Sequence, residues 1–374
     1  MIERILEPIL INKLNSGKII VLIGPRQAGK TTLLQSILQK STKKTMLLYC
    51  DEVDVRLLLE KANSEALKKI ITGAQILVID EAQRVENIGL SLKRLYENAK
   101  NLEIIVSGSS ALDLANKINE PLTGRKFEYK LHPFSFAEMA AHHGVLTEKR
   151  LLEDRLIYGS YPEIVTKSEL RRELLVELTS SYLYKDIFLY QDIRKSQIID
   201  SLLQVLALQV GSEVSINELS KLLGIDAGTV RRYIDLLEKS FVIFHLPSFS
   251  CNIRNELKKS TKIYFYDNGI RNTLISDFRP LDLRQDKGAL WENYLIAERK
   301  KQLAYSGSYA RTWFWRTTQQ QEIDYIEESD GSLKAWEFKY SPNKTQRPSI
   351  TFTRAYPEAK VSLITIENYE DFLL

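Results

Sequence analysis

Ile19-Ile-Val-Leu-Ile23 runs directly into Gly24-Pro-Arg-Gln-Ala-Gly-Lys-Thr31, and this stretch decides the fold. Five apolar residues without alternation predict a strand covered on both faces, as in a parallel sheet. The octet behind it matches GxxxxGK[ST], and a helical pattern follows. Its glycines let the chain curl until successive N–H groups, with the helix N-terminus, aim at phosphate oxygens. Gly24, Pro25, Arg26, Gln27, Ala28, Gly29, Lys30, Thr31 and Thr32 are therefore the candidate nucleotide cradle. Lys30 is expected to reach the β- and γ-phosphates of ATP, and the Thr31 hydroxyl to hold Mg²⁺. A chance glycine-rich turn would not explain the flanking strand and helix.

Ile76-Leu-Val-Ile-Asp-Glu81 is a second apolar strand, and it ends in two acids. Beside the phosphate loop, Asp80 would hold the Mg²⁺ hydration shell and Glu81 would polarise the attacking water. Alone it reads equally as a buried strand stopping at a solvated pair; the phosphate loop upstream favours the catalytic sense. Two further pieces stay open. Ser107, in Ser107-Gly-Ser-Ser110, either meets the γ-phosphate and the water or simply ends a strand before a helix cap. Arg125, in Leu122-Thr-Gly-Arg125, either stabilises transition-state charge in a neighbouring subunit or is a solvated cation.

Outward from this core, the 374 residues are 44% hydrophobic and 27% charged, which places the chain among ordinary globular proteins of more than one domain. Lys and Arg (52) nearly balance Asp and Glu (48), so partners depend on local patches rather than on the net charge of +4. Cys50 and Cys251 lie far apart without a CxxC, which excludes a disulfide framework and a structural zinc site. The acidic, Pro-interrupted start lacks a secretion signal, and no apolar run reaches the roughly 18 residues of a membrane span. A cytoplasmic protein without membrane contact is expected. The histidines show no ligand spacing and read as surface residues.

Strands are expected at 19–23, 45–50, 76–79, 103–107 and 127–131, with helices between them. From 137 to 208 the pattern is mostly helical, broken at Tyr158-Gly-Ser-Tyr-Pro162. The expected division is an α/β P-loop core at 1–136, a helical lid at 137–195, a winged-helix module at 196–250 and a mixed α/β module at 251–374.

The combination GPRQAGKT, ILVIDEAQ, VSGSS, LTGR and HPFSFAE resembles the AAA-type P-loop ATPases of bacteria and archaea that carry a C-terminal domain of unknown function. KIYFYDNGIR, KGALWENY, EIDYI and WEFK extend the likeness over nearly the whole chain. In such ATPases a trans-acting arginine finger precedes the last core strand. Arg125 stands at that place, which implies a homo-oligomer, with a ring as one form.

Ser215 and Glu218 form a capping-box pattern for a helix over 217–223, Gly224 ends it, and Asp226 can cap a second helix over 227–239. Two helices across a tight turn, followed by strand, fit a helix-turn-helix plan. Thr229, Arg231, Arg232 and Lys239 would then meet DNA. A three-helix packing module for protein partners is the alternative.

Near the end, 322–326 and 334–340 read as a hairpin across Ser329-Asp-Gly-Ser332. Alternation puts Glu337 and Lys339 on one face, with Asp324 opposite and Glu322 beside it. This D…ExK arrangement resembles the PD-(D/E)xK nuclease fold, in which an acid from the first helix often joins the site; Glu292 matches it. Ile323 replaces the usual proline. Cross-strand acid–lysine pairs explain the same residues without chemistry. Trp313, Trp315, Trp336 and Tyr340 read as core rather than as a base-stacking platform. Three functions remain open: a DNA-processing ATPase, a nucleotide-driven regulatory switch that binds a protein partner, or an ATP-gated nuclease.

Overall fold

Ile19–Ile23 (β1) is buried along its whole length, as an apolar run without alternation requires. Each fully buried Ile, Val or Leu there contributes about 1.5–3 kcal/mol relative to exposure. The computed structural model describes residues 2–61, 63–109, 114, 117–188, 196–249, 261–317, 319–341 and 349–374. Cys251 and Ser110 lie outside the described residues. Two compact units are present: 1–134 with 239–241, and 135–238 with 242–374.

In the first unit, Thr45–Tyr49 (β2), Ile76–Asp80 (β3), Glu103–Gly108 (β4) and Lys126–Lys130 (β5) join β1 in one parallel sheet, in the order β2-β3-β4-β1-β5. All five expected strands form, within one residue of their expected ends. The outer strands β2 and β5 are partly exposed, whereas β1, β3 and most of β4 are closed off. Because β4 lies between β1 and β3, the carboxyl ends of all three open into one crevice, the usual ligand position of such sheets.

The second unit begins at Ser135, whose hydroxyl accepts from the Glu138 amide while Glu138 answers at the Ser135 amide, a capping box for the helix Phe136–His143. Further helices run over Val145–Arg150, Leu152–Tyr158, Pro162–Thr166, Arg171–Phe188 and Ser196–Leu208. Glu213–Val214 (β6), Ile243–Pro247 (β7) and Thr261–Phe265 (β8) form an antiparallel sheet in the order β6-β8-β7. Between β6 and β7 lie the helices Ile216–Leu223 and Ala227–Lys239. Ser215 caps the first through the Glu218 amide, and Gly224, at φ 64°, closes it.

After the helices Asn268–Leu274 and Lys287–Ser306 comes a mixed sheet of Arg311–Arg316 (β9), Glu322–Ser329 (β10), Ser332–Phe338 (β11) and Lys360–Ile364 (β12). Its order is β12-β11-β10-β9, with only β11 and β12 parallel. Asp330 and Gly331, both at positive φ, make the two-residue turn of the expected hairpin. Trp313 and Trp315 pack with Ile323, Ile326, Ala335 and Phe352, and Trp336 packs with Phe372 and Tyr325. The pairing register between β9 and β10 shifts between Ile323 and Ile326, so strict alternation fails there.

The break at 158–162 has a steric cause. Gly159, at φ +74°, lies so close to Asp267 that a Cβ would fall 1.9 Å from its carboxylate. Buried Asp267 accepts from the Ser160 amide at 2.7 Å and the Gly269 amide at 2.8 Å. Two histidines depart from the surface assignment: His132 is buried, with its ring edge toward Phe241, and His143 meets the buried Glu148 at 2.8 Å. Local sequence could not reveal the partner of His132, whereas Glu148 lies only five residues beyond His143. Among the described residues no helix is long and apolar enough to cross a membrane.

Asp286 receives the guanidinium groups of Arg271 and Arg284. Partial burial works against its charge, but these hydrogen bonds prevail and lower its carboxyl to about 2. The stabilisation is therefore full above the ordinary value of 3.8 and is lost as pH falls toward 2. The stability advantage of wild type over Asp286→Asn, measured by urea unfolding, should be constant above pH 5 and shrink from pH 4 to pH 2.

Candidate functional site

The phosphate loop leaves β1 at Gly24, where a Cβ would meet the Leu131 carbonyl oxygen at 2.1 Å. No other residue fits. Gln27 and Gly29 both adopt positive φ, and the helix Lys30–Lys40 starts immediately after them. The Lys30 ammonium donates to the Gly24 and Pro25 carbonyls at 2.9 Å each, so it lies inside the curl of the loop. Thr31 Oγ1 donates to Asp80 Oδ2 at 2.7 Å, which joins the loop to the end of β3.

Asp80 is buried, and its other oxygen accepts from the Ser107 hydroxyl at the end of β4. Ser107 Oγ in turn accepts from the Glu81 amide at 3.2 Å. The buried hydroxyl thus links Asp80 to the Glu81 backbone. Glu81 holds a left-handed backbone at φ 53°, a conformation that costs a non-glycine residue of order 1–3 kcal/mol and tends to persist at functional sites. A cleft of about 310 Å³ is lined by Arg26, Thr31, Tyr49, Cys50, Asp51, Asp80, Glu81 and Arg84.

Two supporting residues escape the sequence reading. Gln83 Nε2 donates to Glu81 Oε2 at 2.5 Å and to Ser109 Oγ at 2.9 Å, which fixes the glutamate side chain. A polar residue two places beyond the acid pair was the available signal. Arg4, buried above the Phe134 ring, donates to the Ala28 carbonyl at 2.8 Å and clamps the loop from the N-terminal segment. Nothing local announces it. Arg125 lies elsewhere: its carbonyl accepts from Ile19, at the start of β1. Five strand residues at ~3.3 Å put it about 16 Å from its own loop. Its guanidinium, partly exposed, faces Glu97 at 3.5 Å.

In the second unit Glu292, Glu322 and Asp324 lie around Lys262. Lys262 of β8, buried, pairs with Glu292 at 2.9 Å and with Glu322, and Tyr264 Oη donates to Glu292 at 2.6 Å. Asp324 Oδ2 accepts from the Phe338 amide at 2.7 Å. Burial, then the Glu292 charge, raises the Asp324 carboxyl to about 7, while Lys339 and Lys262 oppose the rise. Burial also raises Glu337, against Lys339. Burial opposes the charged form of Lys262, but the surrounding carboxylates outweigh it and hold the amine above its ordinary range. Lys262 and Tyr264 were missed because they come from a different sheet. Among the described residues no group of three or more His, Cys, Asp or Glu is arranged to hold a metal.

On the helix Ala227–Lys239, Arg231, Arg232 and Lys239 are exposed. The Thr229 hydroxyl is instead committed to Asp226 at 2.5 Å, inside the helix cap.

Residues 16–140 match the family model described as an AAA domain. Residues 149–283 and 287–372 match two models described as domains of unknown function, DUF8612 and DUF4143. An uncharacterized protein of Haemophilus influenzae is 27% identical over 281 residues, spanning 68% of each chain. One from Mycobacterium tuberculosis is 27% identical over 348 residues, spanning 90% of this chain and 73% of that one. A Walker-type ATPase of Pyrococcus abyssi superposes with a TM-score of 0.51 at 16% identity, covering 74% of this chain and 96% of that one. The N-terminal unit thus resembles an AAA domain in sequence, and the chain shares its fold with that ATPase.

Cys50 lines the cleft edge beneath Asp80. Burial, then the charges of Asp80 and Asp51, raises its thiol to about 12. In a Cys251→Ser background, a thiol reagent at pH 8 should leave Cys50 untouched until denaturant is added.

Proposed function

We propose that the chain hydrolyses ATP to ADP and phosphate with Mg²⁺ at the loop–β3 crevice, and that the second unit couples this cycle to DNA. The supporting observation is the contact of Thr31 Oγ1 with Asp80 Oδ2 at 2.7 Å, one residue before Glu81. A hydroxyl and a carboxylate in contact are hard oxygen donors, so these residues fit Mg²⁺. Thr31 and Asp80 would hold the ion, which would supply positive charge against the phosphates.

The remaining roles fall to the chain itself. Lys30 exchanges the carbonyls of Gly24 and Pro25 for phosphate oxygens, and the amides of 24–32 cradle the phosphates. Glu81, steadied by Gln83, orients the attacking water and accepts its proton. Ser107 keeps Asp80 and Glu81 in register. Arg125, remote from its own loop, acts in a neighbouring copy, so the working form is a homo-oligomer, in a cytoplasmic setting. The strand–helix–helix–strand order around the sheet β6-β8-β7 supports a winged helix, with Arg231, Arg232 and Lys239 toward the DNA backbone. The hairpin with Glu292, Asp324, Glu337 and Lys339 supports a nuclease-like module at the C-terminus. The runner-up is a nucleotide switch that binds a protein partner.

Lys30→Ala should abolish nucleotide binding. Glu81→Gln should keep ATP binding and lose about 10²–10⁴-fold in kcat, as expected for loss of a general base. Unchanged turnover of Glu81→Gln would remove the base assignment. Arg231→Ala/Arg232→Ala should weaken duplex binding for all sequences and reduce the salt slope by about 2, one per phosphate contact. A DNA affinity that is absent in the wild type favours the switch.

A further inference from the structure

The nuclease-like reading calls for a divalent cation among Glu292, Asp324 and Glu337, and the chain's own residues answer that call differently. Lys262 is 2% exposed, and its ammonium stands 2.9 Å from Glu292 Oε1 while also paired with Glu322. The same Glu292 oxygen accepts from Tyr264 Oη at 2.6 Å. An ammonium offers three donors and no lone pair, so it satisfies carboxylates as an ion would, yet it cannot share their centre with one. A divalent ion needs several free oxygens at ~2.0–2.6 Å. Here one oxygen of Glu292 is doubly engaged, and one of Asp324 is bound to the Phe338 amide. Four carboxyls, Glu292, Glu322, Asp324 and Glu337, meet three cations, Lys262, Lys339 and Arg316, so most of their charge is balanced without any ion.

We infer that Lys262 is the resident cation of this cluster, bridging β8, the helix Lys287–Ser306 and β10 in the place of a metal. What it excludes, cleavage by a bound divalent ion, rests on the nuclease-like reading; the bridging itself does not. The module as folded then holds these carboxylates together without a bound divalent ion.

The test is calorimetric titration of Mn²⁺ into the full-length, nucleotide-free chain, in an Asp80→Asn background so that the phosphate loop adds no site. The parent and Lys262→Arg should bind no Mn²⁺ below millimolar concentration. Lys262→Met, which keeps the stem and removes the charge, should bind one Mn²⁺ at least about tenfold more tightly, and Glu292→Gln should abolish that gain. A parent site lost on Glu292→Gln would overturn the inference, whether or not Lys262→Met folds. So would a cooperatively melting Lys262→Met that gains no Mn²⁺. Plasmid nicking by Lys262→Met with Mn²⁺ judges the nuclease-like reading separately: Mn²⁺ bound without nicking ends that reading and supports the Lys262 bridge.

Discussion

The bond from the Thr31 hydroxyl to the Asp80 carboxylate joins two strands that are not neighbours in the sheet. It forms only because β4 stands between β1 and β3 and ends level with both, leaving one opening above the three. The buried Ser107 at the tip of β4 then bonds the other oxygen of Asp80. Sheet order, not proximity in sequence, therefore makes a single site from a glycine loop and an acid pair. The left-handed backbone at Glu81 belongs to the same economy of shape, because it turns the chain sharply after β3 and leaves the glutamate beside the cleft.

Much of the first unit was legible in the sequence. Uninterrupted Ile, Val and Leu runs mark strands covered on both faces, and the glycine-lysine octet fixes where phosphates would go. What escaped was support from a distance. Arg4 reaches Ala28 across more than a strand and a loop, and Gln83 acts through a side-chain contact that propensity does not encode. Ser107 is notable in the sequence, but only the fold shows that its hydroxyl bonds the acid pair.

The second unit was harder to read for a physical reason. Alternation assigns faces correctly while a strand keeps its register, and β10 does not keep it. Glu322 and Asp324, two residues apart, both act on Lys262 from another sheet, and Asp324 also accepts from a backbone amide. Long-range contact also explains His132, which is buried with its ring edge toward Phe241, whereas His143 meets Glu148 only five residues on. The hairpin turn, by contrast, was plain from Asp330-Gly331, because few residue pairs accept two successive positive φ angles.

Lys30 resting on the carbonyls of Gly24 and Pro25 has a consequence for the idle protein. Many anion sites are repulsive when empty, with a buried cation in search of a counter-charge. Here the amine is already solvated by the curl it will later serve, so ligand capture trades one set of contacts for another of similar kind. The buried amine therefore has its hydrogen-bond partners within the loop itself.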